Sequence, residues 1–138
     1  MFPEQIRHEE ALVRAFILPA RRARCLAFLR NPKRREDLTR QLYHFNYLDP
    51  RFLVSIPPRD RRPTALAELL KKKGAPAKCW VISADQELDG REIDLLEALK
   101  TIVGYEIGTI LSCLPGKLGY FEDEDGRFIL QRSPRANS

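Results

Sequence analysis

One stretch near the end of the chain decides the fold class: IGTILSCLPGKLGYFEDEDGRFILQR, residues 107–132. It contains three apolar segments, 107–114, 117–122 and 127–132, which we predict to be β-strands. Pro115-Gly116 lies between the first two segments and Asp125-Gly126 between the last two, and dipeptides of this kind make the tight turns of hairpins. The last third of the chain is therefore predicted to be an antiparallel meander of three strands.

Two more strands are predicted upstream of the meander. The segment 52–56 is apolar and is followed by Pro57-Pro58, which cannot continue a sheet ladder. The segment 79–83 is an almost continuous apolar run, which is typical of a strand buried on both faces. A helix predicted over 63–73 connects the two, and a strand-helix-strand passage of this length usually makes its strands parallel. We therefore predict a mixed sheet of about five strands.

The first third of the chain is predicted to be helical. Apolar residues recur at helical spacing over 3–18, and Pro19 interrupts that pattern. A second helix is predicted over 19–30, and Asn31-Pro32 is expected to cap and start a third helix that ends near His44. A helical N-terminal third packed on the mixed sheet gives an α+β fold.

The composition is that of one soluble domain. The chain has 138 residues, of which 43% are hydrophobic and 31% are charged. We expect residues 1–132 to form a single α+β domain and residues 133–138 to be a flexible tail. The apolar runs are too short to span a bilayer and the N-terminus lacks the order of a signal peptide. We therefore expect a cytoplasmic protein with no membrane partner.

The charges are unevenly distributed along the chain. Residues 1–82 contain 18 Lys and Arg against 8 Asp and Glu, whereas residues 83–126 contain 3 against 11. Such an asymmetry is typical of a nucleic-acid surface, of a surface for an acidic protein, or of pairing between the two halves of one domain. It also predicts weak association between copies of the chain, because the basic surface of one copy complements the acidic surface of another.

The basic residues are concentrated between positions 21 and 40, and a second basic loop follows at 59–62. Guanidinium groups neutralise phosphates, and the aromatic residues that follow within 43–52 could stack on bases. We therefore favour a non-enzymatic binding protein for a polyanion such as nucleic acid, or for an acidic protein. The residues predicted to bind the polyanion are Arg21, Arg22, Arg24, Arg30, Lys33, Arg34, Arg35, Arg40, Arg59, Arg61 and Arg62.

A group of carboxylates supports an alternative function. Asp85, Glu87 and Asp89 alternate as in a calcium loop, but the twelfth position is Leu96 rather than the bidentate Glu of that motif. The same three side chains could hold Mg²⁺, which would make the protein a small metal-assisted hydrolase of nucleic acid or a phosphoester. We predict no catalytic residue and no cofactor, since glycine-rich phosphate loops and zinc-peptidase helices have no match in the sequence.

Several strings carry a resemblance to a known family: Arg14-Ala15-Phe16 before Pro19, Asn31-Pro32-Lys33-Arg34-Arg35, Leu48-Asp49-Pro50-Arg51, and Ser112-Cys113-Leu114-Pro115-Gly116-Lys117 followed by Tyr120-Phe121-Glu122. They resemble a family of small bacterial proteins of unassigned function. The resemblance covers most of the chain. It implies no activity, no cofactor and no catalytic residue.

Overall fold

The computed structural model describes residues 1–132, and a single six-stranded sheet lies at its centre. The strands are β1 (Leu53–Val54), β2 (Lys78–Ser83), β3 (Glu92–Asp94), β4 (Thr109–Leu114), β5 (Leu118–Glu122) and β6 (Arg127–Gln131). Their order across the sheet is β1-β6-β5-β4-β2-β3, and every neighbouring pair is antiparallel. Together with the helices described below, this sheet confirms the α+β class.

The meander is confirmed as β4, β5 and β6, but the sheet is antiparallel throughout and not mixed as predicted. β1 and β2 do run in the same direction, because an even number of antiparallel steps separates them. The three strands of the meander lie between them, so no parallel ladder forms. The sequence pattern also gave no sign of β3, which is only three residues long and pairs with β2.

In the described residues, five α-helices pack on the sheet: α1 (Pro3–Phe16), α2 (Arg22–Arg30), α3 (Arg35–Thr39), α4 (Pro63–Lys72) and α5 (Leu95–Ile102). Short 3₁₀ helices cover Pro19–Arg21, Arg40–His44, Pro50–Phe52 and Pro58–Asp60. The third helix, α3, begins at Arg35 and thus later than predicted, although the Asn31 side chain accepts a hydrogen bond from the backbone N–H of Lys33 in the turn before it. Asp94 caps α5, since its side chain accepts a hydrogen bond from the backbone N–H of Glu97.

The helices lie on both faces of the sheet, which gives three layers. On one face, α1, α2 and α3 cover a core that includes Leu12, Phe16, Leu29, Leu38, Ile82, Ile110 and Phe121. On the other face, α4 and α5 cover a core that includes Leu66, Leu70, Val81, Leu99, Leu111 and Tyr120. Burying each of these large side chains stabilises the fold by about 1.5–3 kcal/mol. The N-terminal helices thus form one outer layer, and their polar sides are exposed to solvent.

Within residues 1–132, no helix is long and apolar enough to cross a membrane. The three cysteines are free thiols, and all of them are buried. The predicted flexible tail, 133–138, lies outside the described residues.

Candidate polyanion-binding surface

Arg21, Arg22 and Arg24 lie where α2 begins, and we call them the α2 basic cluster. The first turn of α2 contains no acidic residue. A helix N-terminus already carries a partial positive charge from its unpaired N–H groups, so acidic side chains are the stabilising choice there. Three arginines at this end therefore concentrate positive potential at one place on the surface.

Aromatic rings and a backbone carbonyl hold these arginines in place. The Arg21 guanidinium lies 4.9 Å from the centroid of the Tyr47 ring, and that of Arg24 lies 5.2 Å from the Phe28 ring. Arg22 donates from Nε to the carbonyl of Ile17 over 3.0 Å. Within residues 1–132, none of the three forms a salt bridge. A ring or a carbonyl orders a guanidinium without cancelling its charge, so the cluster keeps its full positive charge.

Lys33, Arg34 and Arg40 form a second basic group beside the cluster. Arg34 and Arg40 share one carboxylate, that of Asp37, and the hydrogen bond from Arg34 lowers the pKa of that carboxyl below its ordinary value. The Arg34 guanidinium also lies 5.0 Å from the Phe28 ring that Arg24 contacts. The group keeps a net positive charge and is continuous with the α2 basic cluster.

Arg35 was predicted to contact the polyanion, and this prediction is wrong. Its side chain is only 12% exposed and lies between two carboxylates, with Nη2 2.7 Å from Glu9 and Nε 2.6 Å from Asp89. Burial by itself would lower the pKa of the guanidinium, but hydrogen bonds to Glu9 and Asp89 raise it above its ordinary value. Arg35 starts α3 and points inward, so it ties α1 to the loop between β2 and β3.

The other residues predicted to contact the polyanion either form a salt bridge or lie far from the α2 basic cluster. Arg30 is exposed but forms a salt bridge with Glu10 of α1. Arg59, Arg61 and Arg62 are exposed and directly precede α4, which packs on the opposite face of the sheet from α2. Arg61 donates from Nε to the carbonyl of Ile56 over 3.1 Å. The basic loop is therefore separate from the α2 basic cluster.

Pairing between the two halves of the chain does not account for the charge asymmetry. In the part of the chain that the structure describes, Arg35 alone among the Lys and Arg of 1–82 forms a salt bridge with an acidic residue of 83–126. His44 makes two further contacts of this kind, with Glu124 and Asp125. Most of the positive charge of the first half is thus not neutralised within the fold.

The carboxylates of the alternative metal site are not brought together. Asp89 is bonded to Arg35, and it also accepts from the backbone N–H of Ser83 over 3.0 Å. Asp85 accepts from the backbone N–H of Glu87 over 2.9 Å, as in a tight turn. Among residues 1–132, no group of three or more His, Cys, Asp or Glu is arranged to hold a metal ion. The Mg²⁺ site predicted from Asp85, Glu87 and Asp89 is therefore wrong.

One buried pair resembles the start of a catalytic dyad but lies away from solvent. His8 Nδ1 is 2.7 Å from Ser112 Oγ, and the two residues are 7% and 2% exposed. Cys113, the neighbour of Ser112, is also buried, and this burial raises the pKa of its thiol to about 12. A nucleophile needs both access to its substrate and an activated form. All three side chains are buried, and the pKa of the Cys113 thiol is raised rather than lowered, so they belong to the core.

Tyr47 is one of the aromatic residues of 43–52 that we expected could stack on bases, but in the structure it supports Arg21, and the similar role of Phe28 was not predicted. Arg24 and Phe28 lie four positions apart on one helix, a spacing that places side chains next to each other and could have indicated the contact. Arg21 and Tyr47 are far apart in sequence, and only the packing of the N-terminal layer brings them together.

Because His8 is buried, we expect the free energy of unfolding to fall when the solution is acidified. Burial lowers its pKa in the folded state below the ordinary value of 6.5, so the unfolded chain takes up the proton first as the pH falls. The stability that neutral His8 contributes is therefore complete above its ordinary pKa. It is lost as the pH falls from there towards the folded-state pKa. We expect urea unfolding between about pH 8 and pH 5 to show this decline, and His8→Gln to flatten it.

His44 provides the control for this experiment because its pKa is displaced the other way. A hydrogen bond to Asp125 and the charge of Glu124 raise the pKa of this exposed side chain. Its contribution to stability is present at low pH and is lost as the pH rises through the folded-state pKa. His44→Gln should therefore leave the acid-side decline in place, and a decline that vanished in this variant would contradict the role of His8.

Comparisons with protein-family models, curated proteins and solved structures found no match to this chain. The resemblance to a small bacterial family therefore stays a prediction.

Proposed function

We propose that this protein binds nucleic acid through the α2 basic cluster, Arg21, Arg22 and Arg24. The observation that carries the proposal is the grouping of three arginines at the positive end of α2 without an acidic partner among residues 1–132. Positively charged side chains at the positive end of a helix destabilise the free protein. A polyanion bound there offsets this repulsion and releases its own counterions.

The kind of basic residue favours phosphate as the bound group. All three members of the cluster are arginines, whose planar guanidinium donates two parallel hydrogen bonds to a phosphate. Arg24 and Arg34 lie against the same Phe28 ring, so their guanidinium carbons are no more than about 10 Å apart. The regularly spaced phosphates of a nucleic acid can contact several such guanidinium groups at once. The acidic side chains of a folded protein are spaced irregularly and match such a group of arginines less well.

The alternative of a metal-assisted hydrolase has no support from the geometry of residues 1–132, because Asp89 is bonded to Arg35 and the three carboxylates do not converge. A non-enzymatic binding protein is the function that the surface supports best.

The test is a titration of a fluorescent nucleic acid at several salt concentrations, with Arg21→Gln/Arg24→Gln as the variant. Each phosphate contact contributes a slope of about −0.9 to a plot of log K against log salt on duplex DNA. The double variant should therefore bind about tenfold more weakly, and the magnitude of its slope should be smaller by about 1.8. The matched control is Lys71→Gln/Lys72→Gln, which removes the same charge from exposed positions at the end of α4.

Three results would count against the proposal. The first is a dissociation constant weaker than about 1 mM at low salt, where electrostatic binding is strongest. The second is an equal loss of affinity in the α2 and α4 variants, since this would show that only the net charge matters. The third is equally tight binding of poly-glutamate with a similar number of charges, which would replace nucleic acid with an acidic protein as the partner.

A further inference from the structure

The aromatic rings beside the basic surface are already covered by side chains of the protein. Tyr47 carries the guanidinium of Arg21 and also packs against Phe45, with the ring centroids 5.3 Å apart. The Phe28 ring is contacted by two guanidiniums, and the residue is only 8% exposed. Neither residue therefore presents an open ring on which a base could stack.

The next ring along the chain is covered in the same way. The Phe52 ring has the guanidinium of Arg132 at 4.0 Å and that of Arg51 at 5.1 Å. Phe16 also lies against it, edge-on, at 6.3 Å. Arginine on aromatic rings is thus the common arrangement of this layer, and the rings serve to position charge.

The exposed aromatic side chains lie next to acidic residues. Tyr43 is 40% exposed, and its carbonyl accepts a hydrogen bond from the backbone N–H of Glu124 in the acidic hairpin turn. Tyr105 is 69% exposed and is followed by Glu106. Phe2 is 65% exposed and lies two positions before Glu4. None of these exposed rings is one of the two that hold arginines of the α2 basic cluster.

From this arrangement we infer that the partner is double-stranded nucleic acid, held through its phosphate backbone without regard to base sequence. The inference rests on the proposed function and specifies the form of its ligand. Proteins that prefer single strands combine a basic groove with open rings on which successive bases stack. This surface supplies the charge without the stacking, so affinity depends on the density of phosphates. That density is highest on a duplex, with one charge per about 1.7 Å of helix axis.

The test compares three labelled ligands at one salt concentration: a mixed-sequence duplex of about 20 base pairs, an oligothymidine strand of the same length, and an abasic strand of that length. We expect the duplex to bind at least about tenfold more tightly than either strand. The oligothymidine and abasic strands should bind equally within about twofold, because they differ only in the bases that stacking would use. A second duplex of scrambled sequence should match the first.

The outcomes separate this inference from the proposed function. Oligothymidine that binds at least about fivefold more tightly than the abasic strand, or as tightly as the duplex, overturns the inference and leaves nucleic-acid binding standing. Failure of all three ligands to bind overturns the proposed function itself. Tyr43→Ala/Tyr105→Ala gives an independent check, because both side chains are exposed and should be dispensable. A loss of affinity of about fivefold or more for oligothymidine in this variant would show stacking on these rings and contradict the inference.

Discussion

Replacing Arg35 with methionine is expected to lower the free energy of unfolding by about 3–5 kcal/mol. Methionine fills much of the same space but leaves Glu9 and Asp89, whose side chains are 4% and 8% exposed, without the cation between them. Two carboxylates would then face each other in a poorly solvated site. Equilibrium unfolding in urea, followed by circular dichroism, measures the loss.

Arg30→Met is the matched control for this substitution. Arg30 also pairs with a glutamate of α1, but its side chain is 52% exposed and its partner Glu10 is 27% exposed. Removing a salt bridge of this kind should cost less than about 1 kcal/mol. Similar losses in the two variants would contradict the view that burial makes the Arg35 contacts strong.

A compensated variant shows whether the cost comes from the charges that remain. In Arg35→Met/Glu9→Gln/Asp89→Asn the buried groups are all neutral, so a large part of the stability should return. No recovery in this variant would mean that the lost hydrogen bonds, and not the uncompensated charges, cause the destabilisation.

Glu122→Ala is expected to lower the free energy of unfolding by about 3 kcal/mol, since each buried group left without a partner costs about 1–3 kcal/mol. The Glu122 carboxylate is fully buried and accepts from the hydroxyl of Tyr120 over 2.7 Å. It also accepts from the backbone N–H groups of Gly104 and Glu106 over 2.9 Å and 2.8 Å. Both residues have left-handed backbones, with φ of 88° and 60°. The side chain therefore holds the loop between α5 and β4 in its turn.

Thermal and urea unfolding of Glu122→Ala can be compared with Glu124→Ala, a change at an exposed position of the same hairpin. The control should alter stability by less than about 0.5 kcal/mol, because surface substitutions rarely do more. Tyr120→Phe tests the hydroxyl contact separately, and combining it with Glu122→Ala gives the coupling between the two groups. Additive losses in the double variant would contradict the hydrogen bond between them.

The local elements were predictable because short-range chemistry specifies them. The turns at Pro115-Gly116 and Asp125-Gly126 allow only antiparallel pairing, and the Asp94 cap fixes where α5 begins. The sheet order was not predictable in the same way. Whether β1 and β2 become neighbours depends on which strands enter between them, and in this fold the three strands of the meander do so.

Charge shows the same division between sequence and structure. The excess of basic residues in the first half of the chain is a count, so the sequence by itself determines it. Which of those residues can meet a partner depends on what surrounds each one. Arg34 and Arg35 are adjacent in sequence, yet their side chains are 55% and 12% exposed. The tertiary structure decides this, because the carboxylate of Asp89 reaches Arg35 only when the loop after β2 folds against α3.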